Sequence, residues 1–265
     1  MSDTSENRYQ KLLEKVFFDH FRKGLEEVHF AREDLEIAAK KLGIKLPKNL
    51  GDVIYSVRYR SSLPASIQET RIGDREWVIE GAGRAKYVFR LRRVNRVVPN
   101  PSLLAIKIPD ATPEIIGVYA LSDEQALLAK VRYNRLIDIF LGLTCYSLQN
   151  HLRTTVTGIG QIEIDEIYIG MNSRGAQFII PVQAKGGTDQ LGPVQAKQDM
   201  ACCSEKFPDL QCRIVSTQFI DEQLIAMFEL SVEDEEIVVV EERHYRLVPA
   251  SQIQSADLAR YARDQ

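Results

Sequence analysis

The sequence predicts a mixed α/β (α+β) protein, with a central mixed sheet flanked by helices and a helical module ahead of it. Three observations carry this. Two β-rich segments, Gln161 to Gly170 and Phe178 to Lys185, are separated by the turn formers Asn172, Ser173, Arg174 and Gly175, which reads as a β-hairpin. A strongly helical segment precedes the hairpin from Ser122 to Phe140, and another follows from Pro193 to Phe207. At 265 residues, 45% apolar and 27% charged, the chain can hold one large or two small domains with a proper core.

The elements follow in order. From Asn7 to about Leu42, Leu12, Leu13, Val16, Phe17, Phe21, Leu25 and Val28 recur at helical spacing, and Gly43 is the expected stop. A short helix is expected from near Asn49, exposing Arg58, Tyr59 and Arg60 at its end. The stretch W-V-I-E, the turn Gly81-Ala82-Gly83 and K-Y-V-F-R-L read as a second hairpin. Residues 97–113 contain Pro99, Pro101, Pro109 and Pro113 and read as an irregular connector. That puts a domain boundary near residue 115, giving units 1–115 and 116–265.

In the segment after Ser122, a candidate N-cap, the residues Leu127, Leu128, Val131, Leu136, Ile139 and Phe140 are expected to face a core. Pro193 suits a first helical turn. The segments Q-C-R-I-V-S-T-Q-F-I, I-A-M-F-E-L, I-V-V-V-E-E and H-Y-R-L-V extend the sheet, and Ala256 to Arg263 forms a last helix.

Charge and cysteine usage bound the function. The net charge is −3, yet residues 84–96 carry Arg84, Lys86, Arg90, Arg92, Arg93 and Arg96 with no acid, whereas residues 221–242 carry nine acids and no base. Such asymmetry allows a basic, DNA-facing surface on a mildly acidic protein. Cys145, Cys202, Cys203 and Cys212 form no C-x-x-C pattern, so reduced thiols in a cytoplasmic protein are expected rather than a zinc site. No 18-residue apolar run exists and the start is polar, so neither a membrane span nor a secretory signal is expected.

Helices, a short basic helix and a basic hairpin together predict an N-terminal winged-helix-like DNA-binding module. Its candidate DNA contacts are Arg58, Arg60, Arg90, Arg92 and Arg93, since arginine suits phosphate forks and guanine edges. The same arginines also fit a plainly solvated strand face. A second polar cluster, Gln149, Asn150, His151 and Arg153, lies just before the first hairpin strand and offers donors to phosphate and sugar; Gln198 lies on the following helix.

The hairpin itself carries Asp165 on one strand and Gln183 and Lys185 on the other, and a buried carboxylate and ammonium are costly unless they pair or hold a metal. Glu163 shares the Asp165 face by period-two alternation, and Glu166 points the other way. This pattern resembles the PD-(D/E)xK nuclease superfamily, here as Asp165 followed by Gln183-Ala184-Lys185, the Q-x-K variant of modification-dependent (Mrr-type) restriction nucleases. The resemblance covers about residues 120 to 220 and includes the order helix, hairpin, helix, strand.

The resemblance implies a restriction-endonuclease-like core and a Mg²⁺ ion bound by Asp165, the Gln183 amide oxygen and the Ala184 carbonyl, with Glu124 on the preceding helix as a further ligand. It implies that Lys185 orients the attacking water or stabilises developing charge, with Glu163 as second carboxylate. The expected function is a Mg²⁺-dependent DNA endonuclease of restriction or defence type acting on double-stranded DNA, as a homodimer where both strands of a palindrome are cut. A structure-selective repair or recombination nuclease and a non-catalytic DNA-binding protein of the same fold are the alternatives. A second Q-A-K at Gln195 to Lys197 lacks an acidic strand before it and is set aside.

Overall fold

A computed structural model describes residues 3–47, 50, 53–54, 63–83, 85–93, 97–119, 124–186, 191–233 and 236–263. They fall into two compact units, Met1–Val94 with Thr155–Ile162, and Asn95–Thr154 with Glu163–Gln265. Relative to the boundary expected near 115, residues 95–115 group with the second unit. The reason is a strand at Ala105–Pro109 inside the proline-rich stretch, which pairs within that unit's sheet.

In the first unit, α1 (Asp3–His20), β1 (Glu27–Ala31), α2 (Arg32–Leu42), α3 (Ala65–Gln68), β2 (Glu76–Gly81) and β3 (Lys86–Arg92) are described. The strands form an antiparallel sheet in the order β1-β3-β2. The helical spacing expected through Leu42 is interrupted by β1, where Val28 and Phe30 are buried between exposed Glu27 and His29. Alternation over five residues wins there because β3 offers a pairing partner. Gly43 ends α2 in the left-handed conformation (φ 65°), its N–H reaching the Ala39 and Lys40 carbonyls.

The core of this unit is aromatic. Phe17 stacks on Phe21 with ring centroids 4.8 Å apart and meets Trp77 and Phe89 edge-on at 5.0 and 5.1 Å. The Trp77 indole N–H donates to Thr70 Oγ1 (2.9 Å), and Gln68 brackets the Trp77 backbone with two 2.9 Å hydrogen bonds. The polar edge of a buried tryptophan is thereby satisfied.

The second unit is a mixed α/β layer structure: a central mixed sheet flanked by helices. Its strands are β4 (Ala105–Pro109), β5 (Thr144–Val156), β6 (Gly160–Met171), β7 (Gln177–Lys185), β8 (Gln211–Cys212), β9 (Ile214–Phe219), β10 (Leu224–Glu233) and β11 (Glu236–Val248). The order is β4-β11-β10-β9-β7-β6-β5, with β8 beside β7. The β7/β9 and β11/β4 pairs are parallel, and β6/β7, β9/β10 and β10/β11 are antiparallel. The described helices are α4 (Glu114–Tyr119), α5 (Glu124–Tyr133), α6 (Leu136–Leu141), α7 (Pro193–Lys206) and α8 (Ser255–Tyr261).

Alternation divides the sheet between two cores. Ile180, Val182 and Ala184 of β7 join Val215, Ile225 and Met227 beneath Leu127, Leu128, Val131 and Phe140 of α5 and α6. Ala196 of α7 packs with Ile214, Ala226, Phe228 and Leu230. Each fully buried aliphatic side chain contributes about 1.5–3 kcal/mol. The odd-numbered residues of β7, Gln183 and Lys185 among them, therefore belong to the opposite face from the α5 layer.

Two expectations are corrected here. The helix expected over residues 122–140 is two helices, broken where Arg135 takes a left-handed backbone (φ 50°). Buried Asn134 supports the break, accepting from the Ala111 N–H (2.7 Å) and donating to Thr112 Oγ1 and the Lys130 carbonyl (2.9 Å each). The rotation leaves Ile139 43% exposed instead of in the core. Ser122, the candidate cap, lies outside the described residues.

Pro181 sits in a central strand, where a proline is rare. Its place is the junction at which β7 stops pairing with β8 (Ile179 with Cys212) and starts pairing with β9 (Val182 with Val215). The ladder is interrupted there: the Arg213 N–H donates to the Ile179 carbonyl (3.0 Å), and Pro181 has no N–H to return to Arg213.

Gly81 ends β2 against the turn between β5 and β6, which belongs to the first unit, and a Cβ placed on it would stand 1.9 Å from the Ile159 carbonyl oxygen. Backbone cannot give way as a flexible side chain does. Gly81→Ala is therefore expected to cost about 1–3 kcal/mol, read as a lower urea midpoint; an unchanged midpoint would contradict this close approach.

Candidate active site

The β6–β7 hairpin closes as its turn residues require. The Asn172 carboxamide oxygen accepts from the Arg174 and Ala176 N–H groups (2.9 and 3.0 Å), and Gly175 adopts φ 82°. From the turn, the backbone pairing runs to Glu166 opposite Val182. Beyond that point side chains join the strands. Gln183 Nε2 donates to the Glu163 carbonyl (3.2 Å), and the Ala184 N–H donates to Asp165 Oδ2 (2.9 Å).

The end of this ladder gathers charge. Burial pushes the Asp165 carboxyl above the usual carboxylate range, opposed by the Ala184 hydrogen bond and by the nearby Lys185 charge. Lys185 is only 7% exposed and is the single charged residue of β7. Among the described residues it makes no hydrogen bond or ion pair, and its charge acts on Asp165 and Asp199. An ammonium held out of water without a direct partner is unusual, since desolvation costs several kcal/mol.

Glu163 lies beside Asp165, half-buried, as the alternation predicts. His151 Nε2 stands 2.9 Å from Glu163 Oε1, and Arg153 Nε donates to Oε2 (3.2 Å). Both residues come from β5, the edge strand next to β6. His151 has a left-handed backbone (φ 54°), a conformation that costs about 1 kcal/mol or more for a residue with a Cβ and that histidine tolerates better than most. One ligand atom each from His151, Glu163 and Asp165 lie within 4.8 Å of one another.

Behind this group stands a residue that motif reasoning passed over. Asp199 of α7 is completely buried, and its two oxygens accept from Gln183 Nε2 at 3.1 and 3.0 Å. Gln195, from the set-aside Q-A-K, donates to Gln183 Oε1 (2.6 Å). Burial drives the Asp199 carboxyl well above its ordinary range, against the Gln183 hydrogen bond. The signal was present in the sequence: Gln195 and Asp199 are four apart, so both lie on one helix face with Ala196, Cys202 and Cys203.

The Gln183 carboxamide is thus fully buried and engaged at both ends inside the protein, unlike the metal-facing amide that the Q-x-K resemblance implies. Ala184 is likewise buried in the strand. Glu124 of α5 adjoins Gly186, next to Lys185: a Cβ on Gly186 would meet Glu124 Cγ at 3.6 Å. Glu166 does point away. It is buried on the α5 face, bonded to Arg132 and to the Tyr168 hydroxyl. With its amide turned so that nitrogen faces Glu166 and oxygen faces Arg132, Asn150 completes that cluster at 3.2 Å to each.

Of the expected DNA contacts, Gln149, His151 and Arg153 are exposed on β5, whereas Gln198 is 4% exposed inside the α7 layer and presents nothing to a nucleic acid. In the first unit the basic run meets acids from neighbouring strands. Arg90 pairs with Glu27 and Glu80 (2.8 Å each), Arg92 with Glu80 (3.0 Å), and Arg93 with Asp74 (3.1 Å). Arg58 and Arg60 lie outside the described residues.

No protein-family model, curated protein or solved structure matches the chain. Among the described residues no helix is long and apolar enough to cross a membrane. The geometry alone speaks for the site. Two carboxylates, an imidazole and a buried ammonium without a hydrogen bond among the described residues form a set that fits a divalent cation and a bound anion.

The raised Asp199 carboxyl sets a sign for stability. The folded protein holds that proton more tightly than the unfolded chain, so its contribution is complete below the ordinary carboxylate range. It is lost as pH rises towards the folded value. In metal-free urea denaturation from about pH 4.5 to about 7.5, Asp199→Asn should gain on the parent by up to about 1.4 kcal/mol per pH unit. Parallel stability curves would contradict the buried, proton-binding carboxyl.

Proposed function

We propose that the protein is a metal-dependent phosphodiesterase acting on DNA, an endonuclease of restriction or defence type. The observation that carries the reading is Lys185, a buried ammonium that makes no hydrogen bond or ion pair among the described residues, one strand from Asp165 and Glu163. Hydrolysing a phosphodiester requires a positioned water and neutralisation of the charge that gathers on the phosphoryl oxygens. A carboxylate pair next to a fixed cation supplies both requirements in one place. The element order around them, helix, hairpin, helix, strand with the last strand parallel to β7, agrees with the superfamily resemblance.

In this mechanism Asp165 and Glu163 would hold a divalent cation, which when bound would supply positive charge against the phosphate and a lowered pKa for water. Lys185 contributes a fixed positive charge to the developing oxyanion and a donor to the water. Gln183 keeps a positioning role: pinned by Asp199 and Gln195, it holds the strand two residues before Lys185. Arg153, at the rim on β5, is placed to meet an approaching phosphate once Glu163 is engaged elsewhere. The first unit supplies DNA affinity as a winged-helix-like module. Its sheet order β1-β3-β2 and its alternation of helices and strands support that reading.

The test is cleavage of plasmid and phage DNA, methylated and unmethylated, with Mg²⁺ or Mn²⁺ and with chelator. The wild type should cut only with metal, and Asp165→Ala and Lys185→Ala should each lose at least about 100-fold in rate. A wild type that binds DNA but cuts under no metal would replace this reading with a non-catalytic DNA-binding protein.

A further inference from the structure

We infer that His151 is a metal ligand, and that the site therefore takes a first-row transition dication, Mn²⁺ in the test below, in preference to Mg²⁺. The inference rests on reading the carboxylate pair as a cation site, but not on DNA cleavage. Three features of the chain lead to it.

The first is the donor set. Mg²⁺ binds oxygen almost exclusively and holds its water tightly, whereas Mn²⁺ and its heavier neighbours accept an imidazole nitrogen alongside carboxylates. His151, Glu163 and Asp165 each offer one atom, and all three lie within 4.8 Å of one another. Ligand atoms about 2.1 Å from one ion stand roughly 3–4 Å apart, so the three side chains would close on a shared ion by up to about 1 Å.

The second is independent of those ligands. Lys185 is 7% exposed and has no hydrogen bond or ion pair among the described residues. It lies on β7 next to the strand that carries both carboxylates. A buried ammonium left without a direct partner points to an anionic group arriving from outside, and a cation site beside it is what such a group would bridge.

The third is how the imidazole gets there. His151 and Arg153, two apart on β5, both meet Glu163. His151 is held at φ 54°, where glycine would be the relaxed choice. Histidine at a position that suits glycine keeps an imidazole beside Glu163 at a conformational cost.

That observation also supplies the decisive variant. His151→Gly removes the ligand and relieves the backbone, so the variant should melt at or above the wild-type temperature. Binding is measured on the full chain without DNA, by calorimetry and by loss of the free Mn²⁺ electron-spin signal. The wild type should prefer Mn²⁺ over Mg²⁺ by about tenfold or more. His151→Gly should lose about tenfold in Mn²⁺ affinity while its Mg²⁺ affinity changes little. Substoichiometric Mn²⁺ should also broaden the His151 imidazole resonance, one of four in the chain and the one absent from the variant.

A folded His151→Gly that binds Mn²⁺ as the wild type does overturns the inference, as does a wild type that binds no Mn²⁺. The two readings separate cleanly. Wild type that binds Mn²⁺ through His151 yet cuts no DNA upholds this ligand and removes the nuclease. Metal-dependent cutting with unchanged Mn²⁺ binding in His151→Gly upholds the nuclease and removes this ligand.

Discussion

The hydrogen bonds from Gln183 to the buried Asp199 are the contact on which the candidate site depends. They tie α7 to the last residues of β7, just where the backbone pairing of β6 and β7 has ended at Glu166 and Val182. On its other edge β7 stays paired with β9 as far as Lys185 opposite Gln218, so only the β6 side of Gln183, Ala184 and Lys185 lacks a backbone ladder. On that side the Gln183 bond to the Glu163 carbonyl and the Ala184 N–H held by Asp165 continue the contact, and Asp199 and Gln195 fix the Gln183 amide from α7. Polar networks of this kind stabilise when complete and cost dearly when broken, so they specify one arrangement.

Around that anchor the sheet separates two kinds of interior. The α5 face takes Ile180, Val182 and Ala184 and resolves its one buried acid, Glu166, with Arg132, Tyr168 and Asn150. The α7 face takes Asp165, Glu163, Gln183 and Lys185 and, among the described residues, gives Lys185 no direct partner. One face is electrostatically closed and the other is open. A strand that alternates sides every residue makes both from one contiguous stretch, which is why Asp165 and Glu166 can be neighbours with unlike roles.

The hairpin was legible in the sequence because period-two alternation, an Asn-Ser-Arg-Gly turn and a Pro193 helix start are local signals. The face shared by Glu163 and Asp165, and the opposite face of Glu166, followed from the same period. What was not legible depends on partners distant in sequence. Arg90 and Arg92 lie in a run without acids, but β1 and β2 bring Glu27 and Glu80 against them. The five residues of β1 were hidden in helical spacing because Leu25 and Val28 fit both periods. The breaks at Arg135 and His151 are backbone conformations that no side-chain pattern announces. Asp199 and Gln195 could have been found from their four-residue spacing on a buried helix face, but only by knowing which strand that face covers.

The central claim is that the open face of the β6–β7 hairpin end holds a divalent cation. Anomalous diffraction from a crystal grown with Mn²⁺ tests it most directly. The account predicts a peak within about 2.3 Å of carboxylate oxygens of both Asp165 and Glu163, on the Lys185 side of β6. A well-ordered hairpin with no peak there, or with the ion bound only elsewhere on the chain, would contradict it.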